Sequence, residues 1–112
     1  MKSISTHVLD VSRGRPAEGV PIRLEKQDGS AWKEIGAGKT NADGRLPGLL
    51  ADGALEAATY RITFDTGTYF TAQKTEGFYP EAAIVFVVRD ANAHYHVPLL
   101  LSPYGYSTYR GS

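Results

Sequence analysis

Twelve glycines and six prolines punctuate this chain at short intervals, a spacing that suits short strands joined by turns. Residues 58–65 show what fills the intervals. Tyr60, Ile62 and Phe64 alternate with Thr59, Arg61 and Thr63, the period of a half-buried strand. Residues 20–25 alternate in the same way, and Asp28-Gly29 is a hairpin signal with residues 31–36 as the partner strand. Residues 4–11 are an apolar segment that stops at the turn-rich run 12–16. Residues 83–88 are continuously apolar, the pattern expected of a strand buried on both faces. Residues 95–101 and 104–110 add two further strand candidates, while residues 66–74 lack alternation and suit a short helix. Together these segments predict one domain over residues 1–112, an all-β, antiparallel β-sandwich.

Composition narrows the function classes. Twelve Lys and Arg balance twelve Asp and Glu, and no basic run stands out, so neither nucleic acid nor an anionic membrane is an expected partner. No apolar stretch approaches the ~20 residues of a membrane span. The absence of Cys removes disulfides, thiolate zinc sites and Cys nucleophiles, and leaves the compartment open. The first residues lack the apolar core of a signal peptide, so the cytoplasm is the expected location, although a mature periplasmic form would look the same.

Few groups can carry chemistry. His7 sits mid-strand, where a lone histidine is commonly structural. His94 and His96 are two residues apart and share one strand face, a spacing that also suits zinc or copper, but no further Cys or His cluster completes a ligand set. Arg45 follows the turn at residues 41–44 and reads as a solvated turn residue. Arg110 reads as a solvated tail charge. No phosphate loop, nucleophile elbow or paired carboxylate is present. One segment resists the bland reading: residues 99–112 are rich in tyrosine and hydroxyls, where chain ends are commonly polar and frayed. Such an ending suggests packing, for instance against another subunit.

The chain resembles the 5-hydroxyisourate hydrolases, the transthyretin-related proteins, along its whole length. The resemblance is carried by Thr6-His7-Val8-Leu9-Asp10 with Gly14-Arg15-Pro16-Ala17, by residues 40–46 (TNADGRL), and by Phe78-Tyr79-Pro80-Glu81. It continues through residues 94–103 (HYHVPLLLSP) and closes on Tyr109-Arg110-Gly111-Ser112. It implies two four-stranded sheets with one short helix, assembled as a homotetramer, a dimer of dimers whose facing sheets form a channel with two sites. It also implies ring opening of 5-hydroxyisourate to 2-oxo-4-hydroxy-4-carboxy-5-ureidoimidazoline, without metal or cofactor.

Under that resemblance His7, Arg45, His96 and Ser112 are the catalytic candidates, and His7, Arg45, Tyr109, Arg110 and Gly111 the substrate-binding ones. Either His7 or His96 would activate water, because imidazole titrates near operating pH. Arg45 would stabilise the oxyanion or hold the planar ring with its forked donors. Tyr109 would stack on the ring, Ser112 would orient a histidine or the water, and Arg110 would bind substrate or hold the tail by ion pairing. The competing reading is a non-catalytic carrier of small aromatic ligands on the same fold, which would need an apolar slot instead of three convergent polar groups.

Overall fold

A computed structural model of the chain describes residues 3–111. Its strands are β1 (Ser3–Asp10), β2 (Arg15–Pro16), β3 (Pro21–Asp28), β4 (Ala31–Lys39), β5 (Ala58–Phe64), β6 (Ala82–Val88), β7 (His94–Ser102) and β8 (Gly105–Thr108), with one helix, α1 (Thr66–Ala72), between β5 and β6. They form two four-stranded sheets, ordered β2-β1-β7-β8 and β4-β3-β5-β6. This is the two-sheet sandwich with one short helix that the sequence implies.

Alternation decides which side chains meet between the sheets. On the first sheet Ile4 and Val8 of β1 and Tyr95, Val97, Leu99 and Leu101 of β7 point inward. Ile22, Leu24, Tyr60, Ile62 and Phe64 answer them from the second sheet. Each large apolar side chain buried in this way contributes about 1.5–3 kcal/mol. The outward residues of β1 and β7, apart from the buried Pro98, remain only partly covered.

Two polar groups sit on the core side of β1. Thr6 Oγ1 donates to the Val97 carbonyl at 2.7 Å. Asp10 accepts from the Ser12 hydroxyl at 2.6 Å and the Tyr69 hydroxyl at 2.7 Å, which ties α1 to the end of β1. Burial by itself raises the Asp10 pKa, but the hydrogen bonds from Ser12, Tyr69 and the Arg13 amide outweigh it and hold the carboxyl below its ordinary value. Burial, followed by the bond to Asp10, pushes the Tyr69 phenol up to about 12.

Three details differ from the sequence reading. Residues 83–88 were expected to be buried on both faces, yet β6 is an edge strand with Val85 and Val87 exposed, since nothing among the described residues covers its outer face. Thr63, on the polar side of the β5 alternation, is buried. The pairing of β1 with β7 is parallel, the one such pair in a frame that is otherwise antiparallel.

Pro98 interrupts the other side of β7. It has no N–H to offer β8, and the β8 ladder ends at Thr108, whose Oγ1 donates to the Pro98 carbonyl at 2.8 Å. Pairing resumes past the gap, where the Gly111 amide donates to the His96 carbonyl at 2.8 Å.

Candidate active site on the outer face of the first sheet

Because β1 and β7 run side by side, their outward residues form two adjacent columns. Ser3, Ser5 and His7 of β1 stand against His94, His96 and Pro98 of β7, in that order. His7 and His96 are therefore diagonal neighbours. With strands ~4.8 Å apart and two residues spanning ~6.6 Å, their Cα atoms lie roughly 8 Å from each other. Below them Leu9 faces Leu100 and continues the same surface as an apolar floor.

Arg45 reaches this face from the side of β1 opposite β7, beyond the short pairing with β2. The turn before it is built by Asn41, whose Oδ1 accepts the amides of Asp43 at 2.9 Å and Arg45 at 3.1 Å. Gly44 closes the turn with φ +76°, a conformation that favours glycine, and its carbonyl accepts the Val8 amide at 2.8 Å. The chain is thereby pinned along β1, and Arg45 forms an isolated antiparallel bridge with His7.

His96 is the most constrained of these groups. Its Nδ1 lies 2.7 Å from Ser5 Oγ. The same hydroxyl lies 3.0 Å from His94 Nε2, and His94 Nδ1 lies 2.9 Å from Ser3 Oγ. The two imidazoles are nearly parallel, 14° apart, with centroids separated by 6.5 Å. Burial, then the positive charge of Arg45, then His94 and His7, hold the His96 pKa below the ordinary histidine value, while a hydrogen bond with the backbone of Ser5 pulls the other way. These influences favour the neutral form of His96, whose lone pair can take a proton.

The structure brings His7, Arg45 and His96 together on one face. Gly111 lies directly against the His96 ring, so close that a Cβ there would sit 2.5 Å from the imidazole Cδ2. Tyr109 is exposed and falls between the Ser107–Leu100 pair and the Gly111–His96 bridge, which puts it on the histidine side by alternation. The Arg110 guanidinium lies 4.3 Å from the centroid of the Tyr95 ring, which points into the sandwich from β7, so its side chain leaves the outer face of the sheet and packs on β7, while still lining a cavity shared with His96 and Tyr109. Ser112 lies outside the described residues.

Sequence reasoning missed Ser3 and Ser5. The signal was present in the alternation Ser3, Ser5, His7, but their histidine partners are some ninety residues away and become neighbours only through the parallel pairing. A cavity of about 210 Å³ opens beside this face, between the edges of β6 and β8; His96, Tyr109 and Arg110 line it together with Ile84, Phe86 and Tyr95 among others, whereas His7 and Arg45 do not.

Fold and face together define a class, a transthyretin-type β-sandwich with a histidine–arginine cluster on the outer face of its mixed sheet. The pattern of the HIUase/Transthyretin family matches residues 4–111, and the chain belongs to that family. It is 46% identical to a 5-hydroxyisourate hydrolase of Salmonella typhimurium, over 97% of this chain and 80% of that protein. The structure of the Klebsiella pneumoniae 5-hydroxyisourate hydrolase superposes with a TM-score of 0.85 at 38% identity, covering 97% of this chain and 98% of the other. Transthyretin from Sparus aurata superposes with a TM-score of 0.93 at 31% identity, covering 99% and 97%. The backbone therefore resembles both proteins, while the sequence is closer to the hydrolases, at 46% and 38% identity against 31%.

Proposed function

We propose that this protein is a hydrolase that opens the six-membered ring of 5-hydroxyisourate, yielding 2-oxo-4-hydroxy-4-carboxy-5-ureidoimidazoline in urate degradation. The observation that carries this reading is the convergence of His7, Arg45 and His96 on one sheet face, in a chain whose relatives of 46% identity bear that enzyme name. An apolar ligand slot of the kind a carrier needs would not be lined by three such groups.

Each step has a residue suited to it. His96, held neutral, takes a proton from water as the oxygen attacks the ring carbonyl. The Arg45 guanidinium stabilises the oxyanion that forms, a contribution of typically ~10²–10³ in rate. The C–N bond of the ring then breaks, and the leaving nitrogen takes up a proton. His7, diagonal to His96, donates a hydrogen bond to the substrate, and Tyr109 covers the ring. Ser112 enters the same proposal through its hydroxyl, and Ser112→Ala tests that role. The reaction needs no metal: the ring nitrogens of His94 and the Nδ1 of His96 are engaged by serine hydroxyls. Activity that survives exhaustive chelation supports this, and stoichiometric zinc whose removal abolishes turnover overturns it.

The working form in this proposal is a homotetramer. Edge strands β6 and β8 flank the same open side of the sandwich, and Val85 and Val87 on β6 are 57% and 47% exposed. Unpaired edges with apolar side chains favour pairing with a second copy. The histidine face, bare in one chain, would then be closed by a facing dimer. The decisive assay generates 5-hydroxyisourate with urate oxidase and follows its ultraviolet decay with and without this protein. A decay indistinguishable from the spontaneous one would overturn the reading.

A further inference from the structure

Deepening the hydrolase reading, on which this inference rests, we propose that Ser3, His94, Ser5 and His96 form a proton wire along the β1–β7 seam, with Ser5 and His94 acting as positioning residues for His96. The four groups are linked in sequence by contacts of 2.9, 3.0 and 2.7 Å. Every link is made by a group with a single exchangeable proton when neutral, and that fixes how the chain can be polarised. The Ser5 hydroxyl has one hydrogen, so when its bonds to both rings run in series it donates to one imidazole and accepts from the other.

Two arrangements follow. In the first, His96 Nδ1–H donates to Ser5, Ser5 donates to His94 Nε2, and His94 Nδ1–H donates to Ser3. His96 Nε2 is then a bare lone pair aimed away from the seam, the form a general base needs. In the second, Ser3 donates to His94 Nδ1, His94 Nε2–H donates to Ser5, and Ser5 donates to His96 Nδ1, so that His96 Nε2 carries hydrogen, the form a general acid needs. Hydrolysis needs both forms in turn.

The conversion balances. His96 Nε2 gains a proton from the attacking water. Its Nδ1 proton passes to Ser5 Oγ, whose own proton passes to His94 Nε2. The His94 Nδ1 proton passes to Ser3 Oγ, whose own proton leaves to solvent at the half-exposed end of the seam. One proton enters, one leaves, and every group ends neutral. The surroundings favour this route over a lasting imidazolium, because the charged groups facing His96 are Arg45 from the edge segment, with the imidazoles of His7 on β1 and His94 on β7. Tyr109 and Arg110, on the side of β8, line a cavity with His96, and among the described residues no carboxylate is one of the groups acting on His96.

The wire makes a prediction that needs no substrate. His94 and His96 must be the same tautomer, both Nδ1–H or both Nε2–H, whereas two independent histidines need not match. Nitrogen-15 NMR of the imidazole rings in the full-length protein at neutral pH reads this directly. Matching tautomers in the wild type, uncoupled in Ser5→Ala and matched again in Ser5→Thr, support the wire. Opposite tautomers in the wild type, with both rings donating to Ser5, overturn it.

Turnover supplies the second reading. Ser5→Ala and His94→Phe should each lower kcat about 10-fold or more with KM changed little, and Ser5→Thr should restore most of the loss. Unchanged kcat in both Ser5→Ala and His94→Phe, with circular dichroism intact, overturns the role in catalysis. If the wild type itself fails to hydrolyse 5-hydroxyisourate, the hydrolase reading falls, and the tautomer experiment still decides whether the wire exists.

Discussion

Arg45 and His7 face each other across an isolated antiparallel bridge, fastened by the neighbouring bond from the Val8 amide to the Gly44 carbonyl at 2.8 Å. The backbone that carries the guanidinium is therefore tied to the strand that carries one imidazole and flanks the other. A charge fixed beforehand stabilises a developing oxyanion without reorganisation at the moment of reaction.

Replacing Arg45 with Gln should lower kcat by ~10²–10³ and move the acid limb of the pH–rate profile upward. The sign follows from the causes at His96. Burial, the largest, and then Arg45 depress its pKa. Removing the cation leaves burial in place, so the limb shifts toward the ordinary histidine value without reaching it. An acid limb that stays in place would show that Arg45 and His96 do not sense each other.

His7→Asn and His96→Asn preserve much of the shape of the side chain and remove its titration. Each should reduce kcat by ~10²–10⁴ while the circular dichroism spectrum stays that of the wild type. Near-normal rates in both would remove the imidazoles from the mechanism.

Gly44→Ala tests the turn rather than the chemistry. The φ of +76° disfavours any side chain, and the added Cβ would collide with the Val8 carbonyl. Local strain of this kind costs ~1–3 kcal/mol, and Arg45 should be displaced. Denaturant melts should record the modest loss of stability, and turnover should fall to the level of Arg45→Gln.

Arg110→Ala removes a cation that rests on Tyr95. An exposed cation–π contact is worth about 0.5–1 kcal/mol, so a small drop in stability is expected, with turnover kept within a few-fold. A loss of 100-fold or more would return Arg110 to the substrate.

Asp10 should set part of the acid sensitivity. Its folded pKa lies below its unfolded value, so its contribution is present above the ordinary carboxylate range and is lost as pH falls through the folded pKa. Tyr69→Phe removes one of the bonds that depress it. Denaturant unfolding should show a loss of about 1–3 kcal/mol at pH 7, narrowing as the pH approaches 3. A difference that stays constant from pH 7 to pH 3 would show that Asp10 titrates normally.

Most of the frame was legible because its signals are local. The alternation of Tyr60, Ile62 and Phe64 fixes β5, Asp28-Gly29 closes the β3–β4 hairpin, and the turn at residues 41–44 places Arg45 at a strand edge. The exposure of Val85 and Val87 was not legible, because composition does not reveal that a strand lies at an edge. The face shared by His7 and His96 followed from the resemblance. The bonds from Ser3 and Ser5 required the pairing of β1 with β7, a relation between distant segments that no periodicity encodes. The packing of Arg110 on Tyr95 follows from alternation with Gly111 once Gly111 is known to pair with His96.

The parallel seam also governs when the site can come into being. β1 leaves the ribosome well before its partner, which begins 91 residues later, at the Ser3–His94 contact. Closing so long a loop is slow, and a sandwich rich in such contacts folds slowly for its size. Until residues 94–102 have been made, β1 exposes an apolar edge with no neighbour, and that interval is when aggregation threatens. Histidine, serine and arginine would then become a working group in a single late event, the docking of β7 alongside β1.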